Sequence, residues 1–303
     1  MAFLTEPFQY EFFRHALVAA TLIGALCGMM GVYIVLRRMA YIGHGLSHAV
    51  FGGAVVSYLI SWNFYLGAGL WGFLSAILIN ATARRRKIGA DAAIGIVTTA
   101  SFALGVALIS KTRSFTRNFE AALFGNILGV DMRDIYVIVG VTLVVAVAIF
   151  FGYKQLLFTT FDPELARVYG VPTQWVDTGF SLALAATIVA SLNVVGVTLI
   201  AAAIVIPPTT ARLLTDSFGV MLILATVLGA VTGFCGMFVS YQYDIASGAA
   251  IVLLNAAIFA AVYAITGLRR ALAARQRPDI AMAGEGVHRH PHALPQVDAH
   301  LFD

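Results

Sequence analysis

Charge is what this chain has least of. Asp, Glu, Lys and Arg make up 11% of its 303 residues, where a soluble domain carries about 25%. The long uncharged runs have almost no polar faces at the 3.6 period, which excludes a large soluble helical core. Cysteine is nearly absent too. Cys27 and Cys235 are the only two, both inside apolar runs and without Cys-x-x-Cys spacing, so a disulfide framework and a thiolate metal site are excluded. Both read as small buried packing residues. No Gly-x-x-x-x-Gly-Lys-Ser/Thr run occurs, so the chain has no phosphate cradle of that type, and nucleotide-driven work would need an ATPase on another subunit. Residues 1–14 lack a basic start and a small-residue cleavage site, so they do not read as a cleaved signal peptide. A net charge of +4 gives no nucleic-acid signal.

What is present is hydrocarbon. Apolar residues are 60% of the chain, in uncharged runs at 16–36, 48–83, 92–110, 135–153, 178–211, 218–242 and 245–268. A bilayer core asks for about 20 apolar residues per helix, so the fold class is an all-α polytopic membrane protein. Trp62–Tyr65 divides the second run with interface aromatics, and Asn193–Gly196 divides the fifth. About nine helices or helix fragments result, within a range of seven to ten. Three parts follow: an N-terminal segment 1–13, whose Phe3, Phe8, Phe12 and Phe13 suit an interfacial helix or a frayed apolar end; a transmembrane domain 14–268; and a polar, His-containing tail 269–303, expected to be disordered and cytoplasmic.

Arg84–Lys87 and the arginines after the last span should be cytoplasmic by the positive-inside rule, which also puts Arg37 and Arg38 inside. Lys111, Arg113 and Arg117 then fall outside, a conflict that a re-entrant segment near 111–131 would remove. Glycines and small residues crowd 24–28 and 229–236, as expected where helices approach closely in lipid. Asn80, Asn193 and Asn255 are candidate interhelical hydrogen bonders.

The most suggestive pair is His44 and His48, in Gly43-His44-Gly45-Leu46-Ser47-His48-Ala49. On a helix the i and i+4 rings share a face, and ionisable groups inside hydrocarbon mark function by default. A shared divalent metal or a proton relay fits; histidines bonded to backbone carbonyls are the bland alternative. Glu120 and Asp244 flank apolar spans and could line an outer path or serve as caps. Asp91 belongs to the basic end at 84–87 as a cap or ion-pair partner.

Between two runs lies Phe161-Asp162-Pro163-Glu164-Leu165-Ala166-Arg167-Val168-Tyr169-Gly170. Asp162 is an N-cap, Pro163 fits the first helical position and Glu164 suits the positive helix end. Gly170 supplies the stop. So short a helix is marginal alone, which implies a dock, on a partner or on its own protein. The tail carries His288, His290 and His292, which could hold a cation weakly or be solvated by chance.

Five segments in order resemble the membrane permease of bacterial ABC-type zinc and manganese importers: 35–50, Leu123-Phe124-Gly125-Asn126-Ile127-Leu128-Gly129, Asp162–Ala166, Ile206-Pro207-Pro208-Thr209-Thr210-Ala211-Arg212, and Asp244–Val252. The resemblance covers 8–268 and leaves the tail aside. It implies a multi-pass protein of the bacterial inner membrane, a second permease copy, a cytoplasmic ATPase and an extracytoplasmic metal-binding protein, with inward transport and no permanently bound cofactor. It makes Asp162, Pro163, Glu164, Leu165, Ala166, Arg167 and Gly170 the ATPase-coupling helix. In the family an Asp and a His four apart are thought to form the metal gate; here the His matches His48 while His44 stands at the Asp position. An imidazole in place of a carboxylate shifts the expectation from manganese towards zinc.

Two rivals remain. A membrane zinc protease lacks its His-Glu-x-x-His glutamate, since position 45 is Gly. An ion-coupled secondary metal transporter without an ATPase partner would need a mid-span coupling acid, and this chain has few.

Overall fold

The computed structural model describes residues 6–83, 89–112, 125 and 129–275. Arg84–Lys87, Arg113, Arg117, Glu120 and the tail histidines His288, His290 and His292 lie outside the described residues. Two compact units divide the chain, Met1–Val262 and Tyr263–Asp303.

Ten α-helices stand among the described residues: α1 (Glu11–Leu36), α2 (Ala40–Leu59), α3 (Phe64–Ala83), α4 (Ala90–Thr112), α5 (Met132–Phe161), α6 (Pro163–Val168), α7 (Thr173–Val195), α8 (Ile200–Leu214), α9 (Phe218–Tyr243) and α10 (Ser247–Arg275). Nine besides the two-turn α6 match the expected number. Seven are long and apolar enough to cross a membrane: α1, α3, α4, α5, α7, α9 and α10. The 20-residue α2 would span about 30 Å at 1.5 Å per residue. Its Gly43, His44, Gly45, Ser47 and His48 keep its hydropathy low, and its burial against α3, α4, α7 and α8 explains why it needs no lipid-facing apolar coat.

The expected breaks are present. Ser61, at φ 53°, turns the chain between α2 and α3, and Gly196, at φ 83°, ends α7. The 15-residue α8 follows. Pro207 and Pro208 lie inside it, and Pro208, lacking an N–H, frees the carbonyl of Ile204.

The α1–α9 seam is built from the small residues the sequence marks. A Cβ on Gly24 would stand 2.0 Å from the Gly229 carbonyl oxygen, and one on Gly229 would stand 2.0 Å from that of Gly24. Only bare backbones fit there, and in lipid such close packing takes over the role of the hydrophobic effect. A Cβ on Gly125 would lie 2.4 Å from the Val194 carbonyl oxygen, so this glycine lies against the end of α7.

Some sequence expectations change in detail. The first helix begins at Glu11, inside the segment treated as separate, and Phe13 is fully buried with its ring 5.3 Å from Phe238 and 5.2 Å from Tyr241. Asn80 donates from Nδ2 to Ser181 Oγ at 3.0 Å, joining α3 to α7. Asn255 instead donates to the carbonyl of Ile251, four residues back in its own helix, a local bond that outcompetes an interhelical one. Cys27 is buried but Cys235 is exposed.

Candidate metal pathway and docking helix

Arginines gather at one end of the bundle, the basic end: α1 closes with Arg37 and Arg38, α6 carries Arg167 and the last turn of α8 holds Arg212, with Asp162, Glu164 and Asp177 at the same end. Because α2 starts here, His44 is one turn into the helix and His48 one turn further.

The two imidazoles share a face as the spacing predicts, with ring centroids 4.6 Å apart and an interplanar angle of 80°. Phe102 of α4 stands edge-on to His48 at 4.9 Å, and Tyr41 lies 6.1 Å from His44. His44 is exposed and His48 half-buried. The Nδ1 of His48 is buried without a hydrogen-bond partner. A buried polar atom left unmatched is uncommon and asks for a ligand or a function. The His44 carbonyl is occupied otherwise, accepting from Ser47 Oγ at 2.7 Å.

The pair opens into a cavity of about 210 Å³ lined by Tyr41, His44, Gly45, His48, Thr98, Thr99 and Phe102. Gly45 makes that cavity possible. A Cβ there would meet Ile94 Cγ2 at 2.4 Å and Thr98 Cγ2 at 2.9 Å, so only glycine lets α4 bring its threonines beside the histidines. Sequence reasoning missed Thr98, Thr99 and Tyr41. Their signal is weak, because hydroxyls in apolar helices usually bond their own backbone, as Thr98 does to the Gly95 carbonyl at 3.3 Å. Among the described residues the cavity wall thus offers imidazole nitrogens and hydroxyl oxygens and no carboxylate.

Among the described residues no three His, Cys, Asp or Glu side chains gather. Two imidazoles leave a tetrahedral shell half filled. Asp244 does not line the cavity; it closes α9 in a left-handed conformation at φ 51°.

At the basic end the short capped helix that the sequence predicts is present as α6. Asp162 Oδ1 accepts from the Leu165 N–H at 2.9 Å, Pro163 occupies the first turn beside Glu164, and Gly170, at φ 79°, turns the chain away. Arg167 Nε donates back to the Pro163 carbonyl at 3.3 Å. Ala166 is fully buried and faces inward, while Leu165, Val168, Tyr169 and the following Trp175 are exposed, Val168 to 81% and Trp175 to 77%.

The family model described as the ABC 3 transport family matches residues 9–266. The chain belongs to that family. This bears out the recognition drawn from the five segments: a permease subunit of the metal-importer type, a transport component rather than an enzyme, and a multi-pass protein of the bacterial inner membrane. It is 39% identical over 261 residues to the manganese transport system membrane protein MntC of Halalkalibacterium halodurans, covering 86% of this chain and 89% of that one. With the manganese import system permease protein ScaB of Streptococcus gordonii it shares 36% identity, over 89% of this chain and 97% of the relative. A probable iron transport system membrane protein of Haemophilus influenzae is 34% identical over 88% and 98%. Among solved structures, PsaBC from Streptococcus pneumoniae in complex with Fab superimposes with a TM-score of 0.78 at 33% identity, covering 86% of this chain and 94% of that one. None of these names supports a preference for zinc.

Proposed function

We propose that this ABC 3 permease moves manganese(II) inward, driven by a separate cytoplasmic ATPase, with His44 and His48 as the protein's own ligands along the path. The observation that carries the reading is the cavity at the head of α2, where two facing imidazoles and an unpartnered His48 Nδ1 meet hydroxyl oxygens. The names of the relatives supply the metal. A path for ions needs a site that holds and then releases its cargo, and an incomplete donor set serves that. The open side of the cavity and the exposure of His44 suit a second permease copy, which would add its own pair across a two-fold axis. Delivery from outside falls to a metal-binding protein.

By the positive-inside rule the basic end is cytoplasmic. There α6 offers Leu165, Val168 and Tyr169 to the ATPase, an amphipathic helix fitted to a groove. ATP-driven movement of α6 would turn the bundle about the histidine site.

Zinc is a second reading, favoured by one observation: among the described residues the cavity wall has imidazoles and no carboxylate, a donor set that suits zinc better than manganese. The alternative of an ion-coupled transporter is disfavoured by the family match rather than by the site, since the two imidazoles could themselves carry a proton.

Reconstitution with the ATPase in proteoliposomes tests all of this. Manganese uptake that needs ATP and falls in His44→Ala and His48→Ala is the expected result. ATP-independent uptake would overturn the ABC reading, and zinc outcompeting manganese would replace the first cargo with the second.

A further inference from the structure

Arg37 does something that neither the family match nor the histidine site explains. It is the C-cap of α1 and opens the α1–α2 turn, and its guanidinium reaches across to both anchors of α6. Nε donates to Thr160 Oγ1 at 3.0 Å and Nη2 to Thr159 Oγ1 at 2.9 Å, both in the last turn of α5 just before α6. Nη1 donates to Asp177 Oδ1 at 2.8 Å, in the first turns of α7 just after α6. The guanidinium carbon also lies 4.7 Å above the Phe180 ring. The Arg37 side chain is only 9% exposed against 45% for Asp177, so the guanidinium is held on every side. Its five donors in a rigid plane are what let one side chain bind three partners at once; lysine has no such fork.

The backbone around it is equally fixed. The Arg37 N–H bonds the Tyr33 carbonyl at 2.9 Å, the Met39 N–H bonds the Ile34 carbonyl at 3.0 Å, and Arg38 sits at φ 55°. The Ile42 N–H bonds the Met39 carbonyl at 2.9 Å. From the clamp to His44 is therefore a tight turn and one helical turn, with no slack segment between.

We infer that Arg37 is a positioning residue that transmits movement of α6 to the histidine pair, by gripping both anchors of α6 while rigidly joined to the start of α2. An end-of-helix cap alone would not need to hold α5 and α7 together on either side of α6. The inference rests on the reading that α6 meets the ATPase and that His44 and His48 bind the cargo.

Its test is the ratio of metal ions moved to ATP hydrolysed, in proteoliposomes of the permease with its ATPase. In Arg37→Ala, ATP hydrolysis should continue within about twofold while manganese uptake falls roughly tenfold, so the ratio drops. Arg37→Lys should restore only part of it. A merely structural role would lower both rates together through loss of assembled complex, and an unchanged ratio in Arg37→Ala overturns the inference. If that variant does not assemble, Asp177→Asn, which keeps both threonine bonds and the Phe180 contact, decides the matter by the same ratio. Failure of the underlying reading looks different: wild-type uptake would then be independent of ATP before any variant is compared.

Discussion

The rings of His44 and His48 face each other edge to face at 4.6 Å, close enough to serve one ion and on the open side of a buried helix. Removing either imidazole should leave the helix intact, since neither ring carries a hydrogen bond that the fold needs. We expect His44→Ala and His48→Ala to express like wild type and to lose at least about tenfold in metal uptake, the equivalent of ~1.4 kcal/mol of lost binding. His44→Asp should favour manganese over zinc, because a hard carboxylate oxygen replaces a nitrogen. Competition between the two metals in the uptake assay reads this directly, and equal uptake by all three variants would make the histidines structural.

Gly31 and Ile204 give a sharper structural test. Pro208 frees the Ile204 carbonyl, and that oxygen would lie 1.8 Å from a Cβ placed on Gly31. Backbone opposes backbone here, with no flexible side chain to yield. Gly31→Ala should therefore separate α1 from α8 and destabilise the protein by about 1–3 kcal/mol. Gly140→Ala, with open space around it, should leave the melting temperature in detergent unchanged. Equal melting of both variants would contradict the packing.

Much of this was legible in the sequence, for physical reasons that differ by element. Spans declare themselves because lipid demands long apolar runs, and the crowding of small residues at 24–28 and 229–236 marked close helix contacts, though not that these two stretches meet each other. The α6 helix was readable from Asp162, Pro163 and Gly170, since capping is local chemistry. The histidine pair followed from i, i+4 geometry alone. Thr98 and Thr99 were not legible, because only the tertiary approach at Gly45 brings α4 to α2. Arg37 looked like an ordinary charge at a helix end; its partners lie 122 to 140 residues away and no local pattern names them.

The proposed docking of α6 on the ATPase predicts a separation of two effects. Asp162→Ala removes the cap that receives the Leu165 N–H, at a cost of about 1 kcal/mol to α6. Val168→Glu leaves the cap alone but puts a charge on the exposed apolar side. We expect Val168→Glu to reduce copurification of the ATPase sharply with no change in permease melting, and Asp162→Ala to weaken it less. Wild-type copurification by Val168→Glu would move the docking surface elsewhere.

At the far end, Tyr65 links three helices. Its hydroxyl donates to Asp134 Oδ1 at the start of α5 and accepts from Asn193 Nδ2 at 3.1 Å near the end of α7. The other Asp134 oxygen accepts from the Asp131 N–H at 3.1 Å in a capping box. Polar bonds between membrane helices average only ~0.6 kcal/mol, but a partly buried hydrogen bond to a carboxylate is worth about 1.5–3 kcal/mol. Tyr65→Phe deletes it without changing shape, and should lower the melting temperature by about 2–4 °C for each kcal/mol lost. Tyr136→Phe is the control, since Tyr136 is 69% exposed. Combining Tyr65→Phe with Asn193→Ala should cost less than the sum of the two, because both act on one network. Additive losses would mean that Asn193 and Tyr65 contribute independently, and that α7 is not held to α3 through this hydroxyl.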